Sequence, residues 1–261
     1  MKSESISRLS EIFARARAAG RCALIPFVVA GDPDLATSRA ILQALEAAGA
    51  DAIELGIPYS DPLADGPSIV AAAQRALDVG VRLEDVLTLI DAVRIPVVLF
   101  TYANPIVQYG ISQLAVQMRE RGAAGIIIPD LPLEELQKVA GPFYEQGLDV
   151  PLLIAPTTAP ERARRIATAS SGFVYLVSRL GVTGAGQRPD ATQVQRHVAE
   201  LRTMTDLPIA VGFGLAERAQ VAAIAPYADG AIVGSALVDA IARGTKATAP
   251  ERARRFLEGL R

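Results

Sequence analysis

The residues best placed to do chemistry in this 261-residue chain lie between Asp51 and Pro67, where Glu54, Asp61 and Asp65 follow one another at the end of a short apolar run. In Asp51-Ala-Ile-Glu-Leu-Gly56 the two-residue period of a strand puts Ala52, Glu54 and Gly56 on one face and Ile53 and Leu55 on the other. If the two aliphatic side chains meet a layer of helices, Glu54 points into the interior near the C-terminal end of its strand. An ionised carboxylate there is costly unless a partner or a task justifies it. Carboxylates in such surroundings cluster at functional sites, the alternative being a Glu satisfied by backbone N–H groups or an Arg. Asp65 stands before Gly66-Pro67 and could equally cap a helix that starts at Pro67; Asp61, before Pro62, reads as a turn residue. Composition leaves open which of the two is catalytic.

The elements that must carry these residues alternate regularly. Short β-branched or apolar runs fall at 23–29, 52–56, 96–102, 125–128, 150–154, 173–177, 208–211 and 231–233. Between them lie amphipathic patterns such as 35–48, 83–93, 112–121, 133–146 and 160–169, several opened by Asp or Pro and closed by Gly. Eight strand–helix units predict an α/β fold, a single (β/α)8 barrel over residues 1–261, of the TIM-barrel class. A doubly wound open sheet is the competing architecture, but eight units that can close without an edge favour the barrel. An extra helix at 6–19 precedes the first strand, and inserted helices are expected after strand 2, at 67–78, and after strand 8, at 236–242. A Gly-rich loop, 181–186, follows strand 6. The repeated Glu-Arg-Ala-Arg-Arg at 161 and 251 is a coincidence of two helix starts behind Pro160 and Pro250.

Such barrels commonly bind phosphate in the loops after strands 7 and 8, against the N-terminus of a short extra helix. Here strand 7 runs into Gly212-Phe213-Gly214, and strand 8 into Gly234-Ser235 ahead of the helical run. Glycines allow close backbone approach, and the free N–H groups and dipole of a helix start favour an anion. The plainer reading, that these glycines only make tight turns, does not explain why they fall on these two strands. No Lys-Ser/Thr follows and no third glycine completes a dinucleotide fingerprint, so neither ATP nor NAD is implied.

Apolar residues make up 51% of the chain and charged residues 21%, enough for a large core and inconsistent with disorder. The formal charge is −2, and the basic residues are scattered on helical patterns, as at Arg162, Arg164 and Arg165, with no nucleic-acid footprint. A lone cysteine, Cys22, excludes an internal disulfide. With no signal-like leader and no apolar run of membrane-spanning length, a soluble, cytoplasmic protein is expected.

The segment Glu54-Leu-Gly-Ile-Pro-Tyr-Ser-Asp-Pro-Leu-Ala-Asp-Gly-Pro67 resembles the signature of the tryptophan synthase alpha subunit family. Further matches are Gly31-Asp-Pro33, Thr101-Tyr-Ala-Asn-Pro-Ile106, Pro129-Asp-Leu-Pro132, Ser178-Arg-Leu-Gly-Val-Thr-Gly184 and the two glycine turns, so the likeness spans the chain. It implies a lyase that cleaves indole-3-glycerol phosphate to indole and glyceraldehyde 3-phosphate, a retro-aldol step in tryptophan biosynthesis. On this resemblance the catalytic carboxylates are Glu54 and Asp65, the active-site tyrosines Tyr102 and Tyr175, the mobile-loop threonine Thr183, and the phosphate contacts Gly184, Gly214, Gly234 and Ser235. Two departures are visible: Val70 stands where many members have Gln, and the loop after Gly184 reads Ala-Gly-Gln-Arg188.

The side-chain inventory agrees with the chemistry so implied. The lysines, Lys2, Lys138 and Lys246, fall in the N-terminal tail, a helix and a late loop, none placed for a Schiff base. The only histidine, His197, lies in a helical pattern, so neither a multi-His metal site nor a Cys-His nucleophile is expected. In the implied mechanism Glu54 protonates indole C3 and takes the proton of the neighbouring side-chain hydroxyl, while Asp65 stabilises positive charge at the indole nitrogen. Tyr102 and Tyr175 line the indole pocket or, on the simpler reading, only pack the barrel.

The family also implies a partner, the tryptophan synthase beta subunit, in an α2β2 heterotetramer whose pyridoxal phosphate belongs to that subunit and not to this chain. Pro58, Asp61 and Pro62, Asn104 and Pro105, and Pro129, Asp130 and Pro132 follow strands 2, 3 and 4 and are expected at one barrel mouth, the docking face. A standalone indole-3-glycerol-phosphate lyase would use the same pocket without the partner.

Overall fold

A computed structural model of the chain describes residues 7–177, 191–212 and 214–261. Eight parallel strands, β1 (Ala23–Val29), β2 (Ile53–Gly56), β3 (Val97–Phe100), β4 (Gly125–Ile127), β5 (Leu152–Ile154), β6 (Val174–Val177), β7 (Ile209–Gly212) and β8 (Gly230–Val233), pair in the order β4-β3-β2-β1-β8-β7-β6-β5. The two ends of that sheet meet at a bridge between Gly125 and Asp149. There Ile126 N–H donates to the Asp149 carbonyl at 2.9 Å, and Asp149 N–H to the Ala124 carbonyl at 3.0 Å. The (β/α)8 barrel is thus closed by one peptide. A Cβ on Gly125 would stand 2.4 Å from the Asp149 carbonyl oxygen, so only glycine lets the strands meet.

All seven residues of β1 are buried, as expected of a parallel strand covered on one side by the barrel interior and on the other by helices. The covering helices are α1 (Arg8–Ala18), α2 (Leu35–Ala47), α3 (Pro67–Asp78), α4 (Leu83–Leu87), α5 (Ala103–Tyr109), α6 (Ile111–Glu120), α7 (Leu136–Glu145), α8 (Pro160–Ala169), α9 (Ala191–Arg202), α10 (Arg218–Ile224), α11 (Ser235–Ala242) and α12 (Ala249–Glu258). The extra N-terminal helix and the inserted helices after β2 and β8 are α1, α3 and α11. The first strand, the inserted helix at 67–78 and the helix at 160–169 have the bounds expected from the sequence.

Three stretches differ. The pattern at 83–93 is not one helix, because α4 ends where the Thr88 hydroxyl donates to the Asp85 carbonyl at 2.7 Å and a 3-10 turn, Ile90–Ala92, follows. The pattern at 133–146 opens with a 3-10 turn, Leu133–Glu135, before α7. The loop expected around Asn104 and Pro105 is a helix, α5. Pro105 sits in its first turn, where a missing N–H forfeits no helical bond, and the Asp130 carboxylate accepts from Ala103 N–H at 2.9 Å. The Gly-rich loop at 181–186 and Phe213 lie outside the described residues.

Candidate active site

Glu54 sits in the middle of β2, paired in register with Phe27 of β1 and Val98 of β3. It is 2% exposed, and its Oε2 has no hydrogen-bond partner among the described residues. The alternative in which backbone N–H groups or an Arg satisfy this carboxyl is therefore not what the structure places here. Burial, reinforced by the charge of Asp65, pushes the Glu54 carboxyl up to about 8, so it holds a proton at neutral pH.

Asp65 is half-buried in the loop that leads into α3. Gly66, not Asp65, is the N-cap of that helix, and Pro67 occupies its first turn. The carboxylate is thus not consumed in capping. Burial raises its pKa, and a hydrogen bond from Tyr102 acts against the rise. The same phenol oxygen accepts from Ala64 N–H at 3.1 Å, which ties the loop after β2 to the end of β3. Asp61, by contrast, is exposed and accepts from the Ser60 hydroxyl next to it.

Tyr175, 3% exposed on β6, lies under the electrostatic influence of both Glu54 and Asp65, and burial first, then those two charges, holds its phenol far above the ordinary range. A Cβ on Gly212 would come within 2.4 Å of the Tyr175 oxygen, so the ring fills the space that β7 leaves open. Tyr102 is 2% exposed, stacked at a tilt on Tyr59 with ring centres 5.5 Å apart and edge-on to Phe100 at 6.5 Å. Both tyrosines are buried among the barrel side chains and lie near Asp65. Phe27 was not singled out from the sequence, yet it meets Phe100 edge-on at 5.7 Å, and a Cβ on Gly56 or Gly234 would come within 2.7 or 3.4 Å of its ring. Its signal was available in the alternation of β1, which gives Phe27 the same phase as Glu54.

At the other end of the site, Gly214 (φ +92°) follows β7, and Gly234 follows β8 as N-cap of α11, its carbonyl accepting from Leu237 N–H at 2.8 Å. Ser235 opens that helix, so the first N–H groups of α11 face the mouth beside the Phe27 ring, a fit for an anion. Thr183 and Gly184 lie outside the described residues. The described residues contain no group of three or more His, Cys, Asp or Glu able to hold a metal. His197 is on α9, Lys138 is exposed on α7, and Lys246 is paired with Asp34 at 3.0 Å. No described helix is long and apolar enough to cross a membrane.

The loops after β2, β3 and β4 share one face. Asn104 Nδ2 donates to the Tyr59 hydroxyl at 3.0 Å, and Pro58, Asn104 and Pro105 line a groove of about 420 Å³ with Tyr59, Leu83 and Tyr109. Asp130 is half-buried and occupied with the start of α5, whereas Pro132 is exposed.

Residues 13–258 match the family described as Tryptophan synthase alpha chain. The tryptophan synthase alpha chain of Picosynechococcus sp. is 50% identical over 261 residues, covering 98% of each chain, and that of Synechococcus elongatus 51% identical over 239 residues, covering 90% of each. A solved structure of Mycobacterium tuberculosis tryptophan synthase superposes with a TM-score of 0.90 at 40% identity, over 98% of this chain and 97% of the other. With its fold, its paired carboxylates and its glycine turns in the order described, the chain belongs to the tryptophan synthase alpha chain family.

Proposed function

We propose that the chain, acting as one catalytic domain, performs the lyase reaction of its family on indole-3-glycerol phosphate through Glu54 and Asp65. The observation that carries this reading is a buried Glu54 with an unpartnered oxygen, its carboxyl pushed up to about 8 by burial and by the charge of Asp65 nearby. The acid at Glu54 donates its proton to indole C3, and the ring becomes an iminium whose charge at nitrogen is stabilised by the Asp65 carboxylate. The resulting Glu54 carboxylate then removes the proton of the hydroxyl on the adjacent side-chain carbon. The carbon–carbon bond breaks, its electron pair restores the indole ring, and the oxygen becomes the aldehyde of glyceraldehyde 3-phosphate. Glu54 finishes protonated, ready for the next turn. Phe27, Phe100, Tyr102 and Tyr175 supply the apolar walls for the indole. Gly214, Gly234 and Ser235, with Thr183 and Gly184 from the loop after β6, hold the phosphate.

The physiological partner in this reading is a tryptophan synthase beta subunit in an α2β2 assembly, which carries the pyridoxal phosphate and consumes the indole in the cytoplasm. The test is release of indole from indole-3-glycerol phosphate by the purified chain, alone and with a beta subunit. Absence of indole in both arms would refute the assignment, while full turnover without a partner would identify a standalone lyase.

A further inference from the structure

We propose that the ion pair between Arg75 and Asp32 is a positioning clamp that holds α3 against the end of β1 and so sets where Asp65, just ahead of α3, presents its carboxylate. The inference rests on the reading of Asp65 as catalytic. Arg75, in the last turn of α3, grips Asp32 with both prongs of its guanidinium, Nε to Oδ1 at 2.7 Å and Nη2 to Oδ2 at 2.8 Å. Asp32 is only 5% exposed, whereas the Arg75 side chain keeps 39% of its surface in solvent, so the pair is half-buried.

The corner that bears Asp32 is itself fixed. Gly31 (φ +79°) donates its N–H to the Ser38 hydroxyl of α2 at 3.0 Å, and its α-carbon lies so close to Val81, just beyond α3, that a Cβ would meet Val81 Cγ2 at 2.5 Å. The C-terminal half of α3 is therefore held at two points on one corner. The need for such a hold follows from the contact face of the helix. Its buried residues are Ile69, Ala72, Ala73 and Ala76, and three alanines offer a nearly flat surface with little to set rotation or axial register. Gly66 provides no side-chain cap at the other end. A bidentate fork supplies the missing directionality.

The helix also packs on β1 and on α11, whose Asp239 adds a second acidic charge near Arg75. Ahead of α3 the loop is tied to the end of β3 through Tyr102, at Ala64 and Asp65, and through Tyr59, whose hydroxyl accepts from Asn104. Asp65 thus hangs between two anchors, and Arg75 governs one of them. An ordinary cation near a helix C-terminus would contribute a little stability and leave turnover alone.

The experiment uses the full chain carrying Asp32→Asn with Arg75→Met, which removes both charges and leaves no orphaned carboxylate. Expected is a fall in kcat of about 10-fold, with KM for indole-3-glycerol phosphate within about twofold and cooperative melting preserved. Arg75→Lys keeps the charge without the fork and should fall between; if the double variant fails to fold, Arg75→Lys carries the same measurement. Single-turnover rates in an Asp65→Asn background should then show little further loss, because the clamp acts through that carboxylate. Unchanged kcat in a folded clamp variant, a rise in KM alone, or an equal loss in both backgrounds overturns the proposal. Asp65→Asn with normal turnover would instead remove the catalytic reading of Asp65. Where residual activity of Asp65→Asn is too low to time, the split between kcat and KM decides.

Discussion

Glu54 keeps a proton at neutral pH because burial costs its anion more than it costs the acid, and Asp65 adds to that cost. The sign of the stability effect follows. The folded state holds its proton up to about 8, whereas the unfolded chain releases it in the ordinary carboxylate range, so stability from this group is full at low pH and is lost as pH rises through that window. The stability of Glu54→Gln relative to the native chain should therefore be greater at pH 8.5 than at pH 5, by an amount on the order of a few kcal/mol read from the two melting curves. The same substitution should lower indole release by about 10²–10⁴-fold and leave binding of inorganic phosphate intact. A Glu54→Gln chain with both normal turnover and an unchanged melting profile would contradict the account. The acid role also fixes the alkaline limb of kcat/KM, which should fall with an apparent pKa near 8 in the native chain; a profile flat from 7 to 9 would exclude Glu54 as the donor. Much of this was legible in the chain itself. Period two gave Glu54 its inward phase, whereas Asp61 and Asp65 were told apart in the sequence by the family resemblance alone; in the fold, Asp65 is the one that lies against Tyr102. Phe27 was overlooked because its apolar type carries no mark of a role; only its phase, shared with Glu54 across the β1–β2 pairing, pointed to the site.

At the scale of elements, the barrel depends on a closing contact that no periodicity reveals. The β4–β5 seam rests on Gly125 facing the Asp149 backbone, while neighbouring strands elsewhere share runs of registered residues. Gly125→Ala forces a Cβ into a carbonyl oxygen that cannot swing aside, and the expected loss is about 3 kcal/mol or more. Gly147→Ala, at φ +71° with nothing within 4 Å, should cost only about 1–2 kcal/mol from the left-handed backbone. Chemical denaturation of the two variants compares seam with turn, and equal losses would show that the seam is no weak point. Strands and helices with strong, uninterrupted patterns were readable: β1 is apolar throughout, and α3 and α8 both open on proline. Where boundaries shifted, the deciding group was a side chain from elsewhere or a local competitor. Thr88 turns the chain out of α4, and α5 exists because Asp130, 27 residues away in sequence, meets the N–H of Ala103. Such distant caps leave no trace in a window of ten residues.

Considered whole, the molecule presents its catalytic mouth beside the face built by the loops after β2, β3 and β4, which are adjacent strands. That face carries exposed apolar side chains, Leu63 at 75% and Val107 at 57%, together with the groove that Pro58, Asn104 and Pro105 line. Fixed prolines and an interlocked Tyr59–Asn104 contact make the surface rigid in advance of docking, which lowers the entropy cost of association. In the proposed assembly a beta subunit seated there would reach the loop that holds Asp65 through Tyr59, whose ring packs on the buried Tyr102. It can raise turnover only if it binds the catalytically ordered arrangement better than the free one. Mixing with a cognate beta subunit should therefore accelerate indole release, and Asn104→Ala should weaken that acceleration more than the basal rate. Asp130 is a less clean probe because its carboxylate also starts α5, so Asp130→Asn should lower both. Val107→Asp places a charge on the apolar part of the face without touching the site, and should raise the concentration of beta subunit needed for half-maximal activation about 10-fold at unchanged basal turnover. Titrations of both variants by indole release and by sedimentation measure activation and association separately; if neither moves while the native chain is activated, the partner docks on a different face of the barrel.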